Sequence, residues 1–166
     1  DDISKVLWQF GEEKYSRKIA QAIVAKRINN QISTTQQLSE IILDVKKNKR
    51  SKRKQHHATK TFQAIRIYIN QEIDQLEMFL NYSLDALKIG GRLCVISFHS
   101  LEDRMVKRFF RDHSRLDPNL SKLPNLNDKQ STDCKIIARR IKPSQMEIDL
   151  NPRARSAVLR VVEKVK

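Results

Sequence analysis

The sequence predicts an α/β chain built in two halves, a helical half followed by one that mixes strands with helices. Three observations carry that prediction. Apolar residues recur at steps of three and four through much of the first 87 positions. The period then gives way to a nearly continuous apolar run at 92–98, and two segments rich in Ile and Val, 134–142 and 155–165, close the chain. Steps of three and four mark the stripe of an amphipathic helix, whereas a short unbroken run marks a strand buried on both faces.

In chain order, Ile3, Val6, Leu7 and Phe10 form the first stripe, and Gly11 reads as its C-terminal stop. Glu12 and Glu13 start a second helix with Tyr15, Ile19, Ala22 and Ile23 on one face. Thr34 and Gln37 have the spacing of a capping box ahead of Leu38, Ile41, Ile42 and Val45. Residues 46–54 lack apolar periodicity and read as an exposed loop. From Thr61, the residues Phe62, Ile65, Ile69, Ile73, Leu76, Leu80, Leu84 and Leu87 predict one long helix, or two with a break at Asn81. Gly90-Gly91 ends that pattern.

The strand at 92–98 is followed by Ser100, read as a helix N-cap with Asp103 in the reciprocal position. Met105, Val106, Phe109 and Phe110 mark the buried side of that helix. Residues 114–133 hold Pro118, Pro124 and many polar residues, and predict a long loop. The strands at 134–142 and 155–165 are separated by Asn151-Pro152. Strand, helix, strand and a further strand suggest a right-handed crossover closed by an antiparallel partner.

Charge narrows the function. The chain carries a formal net charge of +14, and residues 46–66 alone hold nine basic and no acidic side chains. A cationic block this dense inside a fold points to a polyanion. Nucleic acid is favoured over a membrane surface because the block lies on no amphipathic helix. No apolar run approaches the ~18 residues of a membrane span, and the opening Asp1-Asp2 has no signal-peptide character. Cys94 and Cys134 read as reduced thiols of a cytoplasmic protein.

The three glycines, Gly11, Gly90 and Gly91, form no phosphate-cradling loop, and the histidines have no metal-ligand spacing. No bound metal is expected. Ser97-Phe98-His99-Ser100-Leu101-Glu102-Asp103-Arg104 places polar groups where a strand gives way to a helix, the usual position of ligands in open α/β sheets. Capping accounts for Ser100, Glu102 and Asp103 as readily as a site does. His99 lacks such an account and is the first candidate.

Ser97 to Arg104, together with Asn151-Pro152-Arg153-Ala154-Arg155-Ser156-Ala157-Val158-Leu159-Arg160, resemble C-terminal signatures of the MraW-like (RsmH) 16S ribosomal RNA (cytosine-N4)-methyltransferase family. Ala58 to Ile67 resemble a third family segment and Tyr15 to Arg27 a fourth. The chain departs from the family at His57, where proline is usual, at Lys60, where arginine is usual, and across 114–133. The resemblance implies a Rossmann-like class I methyltransferase core with a helical domain inserted before its fifth strand. Residues 1–75 are then the inserted, RNA-recognising domain, and 76–166 the C-terminal part of the core. Residues 92–98 become the fifth strand, and 134–142 and 155–165 the closing antiparallel pair.

The implied parent uses S-adenosylmethionine to methylate the exocyclic N4 of a cytosine in 16S ribosomal RNA, within the small ribosomal subunit. Its cofactor loop precedes the insert, so no cofactor is expected on this chain and no cofactor-binding residue is assigned. His99, Ser100 and Glu102 are candidates for aligning the substrate. Lys46, Lys47, Lys49, Arg50, Lys52, Arg53, Lys54, Lys60 and Arg66 are candidates for holding phosphates, with His57, Phe62 and Tyr68 as stacking surfaces, though Phe62 also fits a core position. The strand at 92–98 would present an uncovered edge able to associate with another chain. The competing readings are a stand-alone basic helical RNA-binding module and, last, a helix-turn-helix DNA binder.

Overall fold

A computed structural model describes residues 1–47, 56–115 and 132–166, which fall into two compact units, Asp1–Glu72 and Ile73–Lys166. The expected fold class holds: helices come first, and an α/β region ends in antiparallel strands. Among the described residues, no helix is long and apolar enough to cross a membrane.

The first unit contains α1 (Asp2–Gly11), α2 (Ser16–Asn29), α3 (Thr35–Lys46) and α4 (Thr59–Asn70). Their apolar stripes meet in one core of Leu7, Ile19, Ile23, Ile41, Ile42, Ala58 and Ala64. The Thr34 capping box forms as its spacing predicts, with the Thr34 hydroxyl accepting from Gln37 N at 3.2 Å. Two expectations need correction. Gly11 is the last helical residue, and the stop is Glu12, in the left-handed region at φ 47°. Gly11 is there for close approach: a Cβ would lie 2.5 Å from the Lys60 carbonyl oxygen and 3.0 Å from Ala64 Cβ. Glu12 and Glu13 do not start α2, which begins at Ser16, and Glu13 is buried.

The long apolar pattern after Thr61 is two helices, but the break comes at Gln71 and not at Asn81. Gln71 adopts φ 51°, accepts no further helical turn, and separates α4 from α5 (Glu72–Ser83). Periodicity continues across that point, which is why the sequence hides it.

The second unit continues with β1 (Arg92–Ser97), α6 (Ser100–His113), β2 (Cys134–Ile141), α7 (Gln145–Leu150), a short 3-10 helix (Pro152–Ser156) and β3 (Val158–Lys164). The sheet order is β1-β3-β2, with β3 antiparallel to both neighbours. β1 and β2 therefore run the same way, and β3 fills the slot that the α6 crossover leaves between them. Leu80, Leu84, Leu93, Val106, Phe110, Cys134 and Val162 form the core. α7 lies in a stretch expected only as an interrupted connection. Its signal was present in the sequence, since Ser144 and Glu147 form a capping box.

β1 also differs from its expectation. Leu93 and Ser97 are buried, but Ile96 is 57% and the following Phe98 55% exposed, and Cys94 is exposed. Only one face of this apolar strand is covered by described residues. Its pairing is also one-sided, to β3.

Candidate functional site

Two places carry the residues singled out by sequence: the turn at the C-terminal end of β1, and the cationic stretch between α3 and α4.

At the turn, the helix cap is His99, one residue earlier than expected. His99 has extended backbone angles, and its Nδ1 accepts from Glu102 N at 3.4 Å. Glu102 reciprocates: its Oε2 accepts from Phe98 N at 2.8 Å and from His99 N at 3.2 Å. With Nδ1 accepting, the neutral ring carries its proton on Nε2, which lies 3.3 Å from Glu102 Oε1. The sequence left His99 without a structural role; the structure gives it one, in a capping box made by an imidazole. Ser100 is the first residue of α6 and is exposed, so it is not the cap. His99 and Glu102 thus touch, with Ser100 adjacent, where α6 presents its positive end and β1 its last residues.

Asp103, expected as the reciprocal cap, does something else. Arg160 Nε donates to its Oδ1 at 2.7 Å and Arg160 Nη2 to its Oδ2 at 3.0 Å. Arg160 is buried, and its third nitrogen reaches the carbonyl of Arg139, in a stretch of β2 where the register to β3 shifts. This bidentate pair joins the two segments, Ser97 to Arg104 and Asn151 to Arg160, that stand out in the sequence. Between them, the Asn151 side chain accepts from Arg153 N at 3.1 Å and starts the 3-10 helix, leaving Arg153 and Arg155 exposed. Spacing could not have found the Asp103–Arg160 pair, because 57 residues separate its members.

The cationic stretch divides by role. Lys46 is buried, with Nζ 2.7 Å from Glu13 Oε2 and 2.6 Å from the His57 carbonyl oxygen. Its ammonium is turned inward, toward a carboxylate that is itself 3% exposed. Lys46 ends α3 and His57 precedes α4, so this one ammonium ties the two sides of the stretch together. Lys60 donates to the Glu12 carbonyl at 3.0 Å, capping the residue that terminates α1. Both lysines thus make contacts within the fold: Lys46 is buried and needs a protein acceptor, whereas Lys60 is only partly buried. Lys47 is exposed and pairs with Asp44. Arg66 is exposed and grips Glu72 through Nε at 2.8 Å and Nη2 at 3.0 Å. Lys49, Arg50, Lys52, Arg53 and Lys54 lie outside the described residues. Of the stacking candidates, Phe62 packs against the core and His57 is partly buried. Tyr68 is 57% exposed, with its ring 6.1 Å from that of Phe10.

None of the glycines makes a nucleotide cradle. Gly11 is filled by α4, Gly91 faces the Lys88 carbonyl at 2.8 Å, and Gly90 sits in a turn at φ 82°.

Residues 1–165 match the MraW methylase family. The chain is 50% identical over 165 residues to the ribosomal RNA small subunit methyltransferase H of Coxiella burnetii (strain Dugway 5J108-111), a match covering 99% of this chain and 53% of that protein. It is 49% identical over 165 residues to the protein of the same name from Xanthomonas oryzae pv. oryzae (strain PXO99A), covering 99% and 48%. Against that of Xylella fastidiosa (strain M12) it is 48% identical over 167 residues, covering 99% and 53%. The chain spans about half the length of the curated relatives it matches.

Proposed function

This chain belongs to the MraW methylase family, and from that premise we propose that it is part of an S-adenosylmethionine-dependent enzyme that methylates the exocyclic N4 of a cytosine in 16S ribosomal RNA. The observation that supports this reading above others is the 50% identity, over 99% of this chain, to a ribosomal RNA small subunit methyltransferase. In this reading Asp1–Glu72 recognises RNA, Ile73–Lys166 is the closing part of the catalytic core, and the remainder of the parent holds the cofactor. The parent acts on the RNA or the small ribosomal subunit in the cytoplasm.

The chemistry assigns work to this chain's residues. An exocyclic amine is a weak nucleophile, since its lone pair is delocalised into the ring. Its base must be drawn out of the stack and held in one orientation. His99, Ser100 and Glu102, at the strand end, are the groups we assign to that alignment. The Ser100 hydroxyl supplies a donor and the Glu102 carboxylate an acceptor for an amine N–H, while the His99 ring, against that carboxylate, fixes its position. Lys47, Lys49, Arg50, Lys52, Arg53, Lys54 and Arg66 neutralise phosphates. Lys46 and Lys60 hold the scaffold from which that stretch departs.

The test is product analysis. The gene product containing this chain is incubated with methyl-labelled S-adenosylmethionine and unmethylated small-subunit RNA or particles, and the RNA is digested to nucleosides. Label in an N4-methylated cytidine is expected; label at a ring carbon, at a ribose oxygen, or nowhere overturns the proposal. The 166-residue chain by itself should give no saturable heat with the cofactor.

A further inference from the structure

The first turns of α1 and α2 form a depression that the proposed function has not used. Its volume is about 590 Å³, and its lining includes Lys5 and Trp8 from α1 with Lys14, Tyr15, Arg17 and Lys18 from the start of α2. Trp8 is 61% exposed, while its neighbour Leu7 is 1% exposed in the core. No ring contact involving Trp8 is formed among the described residues. A tryptophan left in water on a well-packed helix is a large apolar plane without a partner.

The surroundings of that plane are cationic. Lys14, Arg17 and Lys18 are exposed, and none has an ion-pair partner among the described residues. Lys5 reaches only Asp2, at 3.7 Å with both side chains largely in solvent. No carboxylate lines the depression. α2 adds its positive end: its N-cap, Tyr15, supplies no side-chain hydrogen bond, and its first turn contains no acidic residue.

We propose that this depression is a second contact for single-stranded RNA, with Trp8 as the platform on which an unpaired base stacks and Lys14, Arg17 and Lys18 holding the adjoining phosphates. An aromatic plane bordered by cations is the arrangement that binds single strands, because every base has a stacking face and every nucleotide a charge. A duplex keeps its bases stacked on each other and has no use for the indole. An anionic lipid surface would favour a row of apolar anchors on the same face; here the depression offers Trp8 and the half-buried Tyr15. The inference rests on the reading that this unit takes ribosomal RNA, and it adds a contact outside residues 46–66.

Trp8 is the sole tryptophan of the 166-residue chain, so its emission reports on this site alone. The chain is titrated with a short oligocytidylate, with the abasic ribose-phosphate oligomer of equal length, and with phosphatidylglycerol vesicles. Affinity is followed separately by anisotropy of labelled RNA. Saturable quenching by the oligocytidylate, and little by the abasic oligomer, is expected. Trp8→Ala should weaken binding by about 5- to 150-fold, and Trp8→Phe should restore most of it. Replacing Lys14, Arg17 and Lys18 with alanine should flatten the dependence of log K on log salt by about 0.7 per lost phosphate contact. RNA that binds with unchanged Trp8 emission, and equally well to Trp8→Ala, overturns this inference. If that binding is still lost on replacing Lys49, Arg50, Lys52 and Arg53, the RNA reading of the unit stands without it. Binding that survives those four substitutions but not Trp8→Ala supports the inference and removes the cationic stretch. Absence of any RNA binding overturns both, and a blue shift with vesicles alone assigns the face to lipid.

Discussion

The two units solve the problem of an apolar interior differently. In Asp1–Glu72, four helical stripes converge, and Leu7, Ile19 and Ile42 lose essentially all contact with solvent. In Ile73–Lys166 a three-stranded sheet is covered on the side of Leu93 and Val162, while Ile96 and Phe98 stand more than half exposed on the other. A helix satisfies its own backbone and needs only a partner for one stripe. A strand needs a neighbour on each edge and cover on each face, so a half-covered sheet is left with both an apolar face and an unpaired edge. The contrast teaches that compactness is not the same as completeness. Both units hold a buried core and both leave large apolar side chains in solvent, Trp8 and Ile28 on helices of the first and Ile96 on a strand of the second.

Among the described residues, each unit contains an ion pair with a buried cation that joins distant parts of the chain, and the largest expected effects come from breaking these. Lys46→Met leaves the Glu13 carboxylate buried without its cation and should destabilise the first unit by roughly 3–5 kcal/mol, measured by urea unfolding. Adding Glu13→Gln should recover much of that loss. If the double variant is no better than the single one, the His57 carbonyl contact matters more than the charge. In the second unit, Arg160→Met should lower stability by roughly 2–3 kcal/mol, less than a fully buried pair because the Asp103 side chain is 25% exposed. Thermal unfolding followed in the strand region checks it.

A smaller effect sharpens the comparison at the level of packing. Gly11→Ala would put a methyl group 2.5 Å from the Lys60 carbonyl oxygen, a backbone atom that cannot swing away. A loss of about 1–3 kcal/mol confined to the first unit is expected, read as faster hydrogen exchange in α1 and α4 with β1 unchanged. The two cysteines then report on the second unit. Cys94 is exposed, whereas Cys134 is buried, and burial with the nearby Asp133 charge pushes its thiol pKa up. A maleimide should modify Cys94 rapidly and Cys134 only as fast as the sheet opens. Equal rates would mean that the core around Cys134 is not closed. Smallest of all, Thr61 is fully buried, and its hydroxyl has no hydrogen-bond partner among the described residues. Thr61→Val should therefore be neutral or stabilising by up to ~1 kcal/mol.

The sequence determined the features that depend on neighbours along the chain. Apolar spacing gave α1, α3 and the buried side of α6, the Thr34-to-Gln37 interval gave a cap, and the change of period gave β1. These are short-range properties of backbone geometry, so the order of residues suffices. Tertiary structure decided what depends on partners brought from afar. Glu13 looked like a helix start until Lys46, 33 residues later, claimed it. Gly11 looked like a stop until α4 needed its missing side chain, and Asp103 looked like a cap until Arg160 arrived from β3. His99 shows the same limit within four residues, since Ser100 has the better capping propensity but the strand direction leaves His99 extended at the junction. Burial and long-range charge pairing are worth several kcal/mol, whereas a local preference is worth about one; where the two compete for a residue, the fold assigns it.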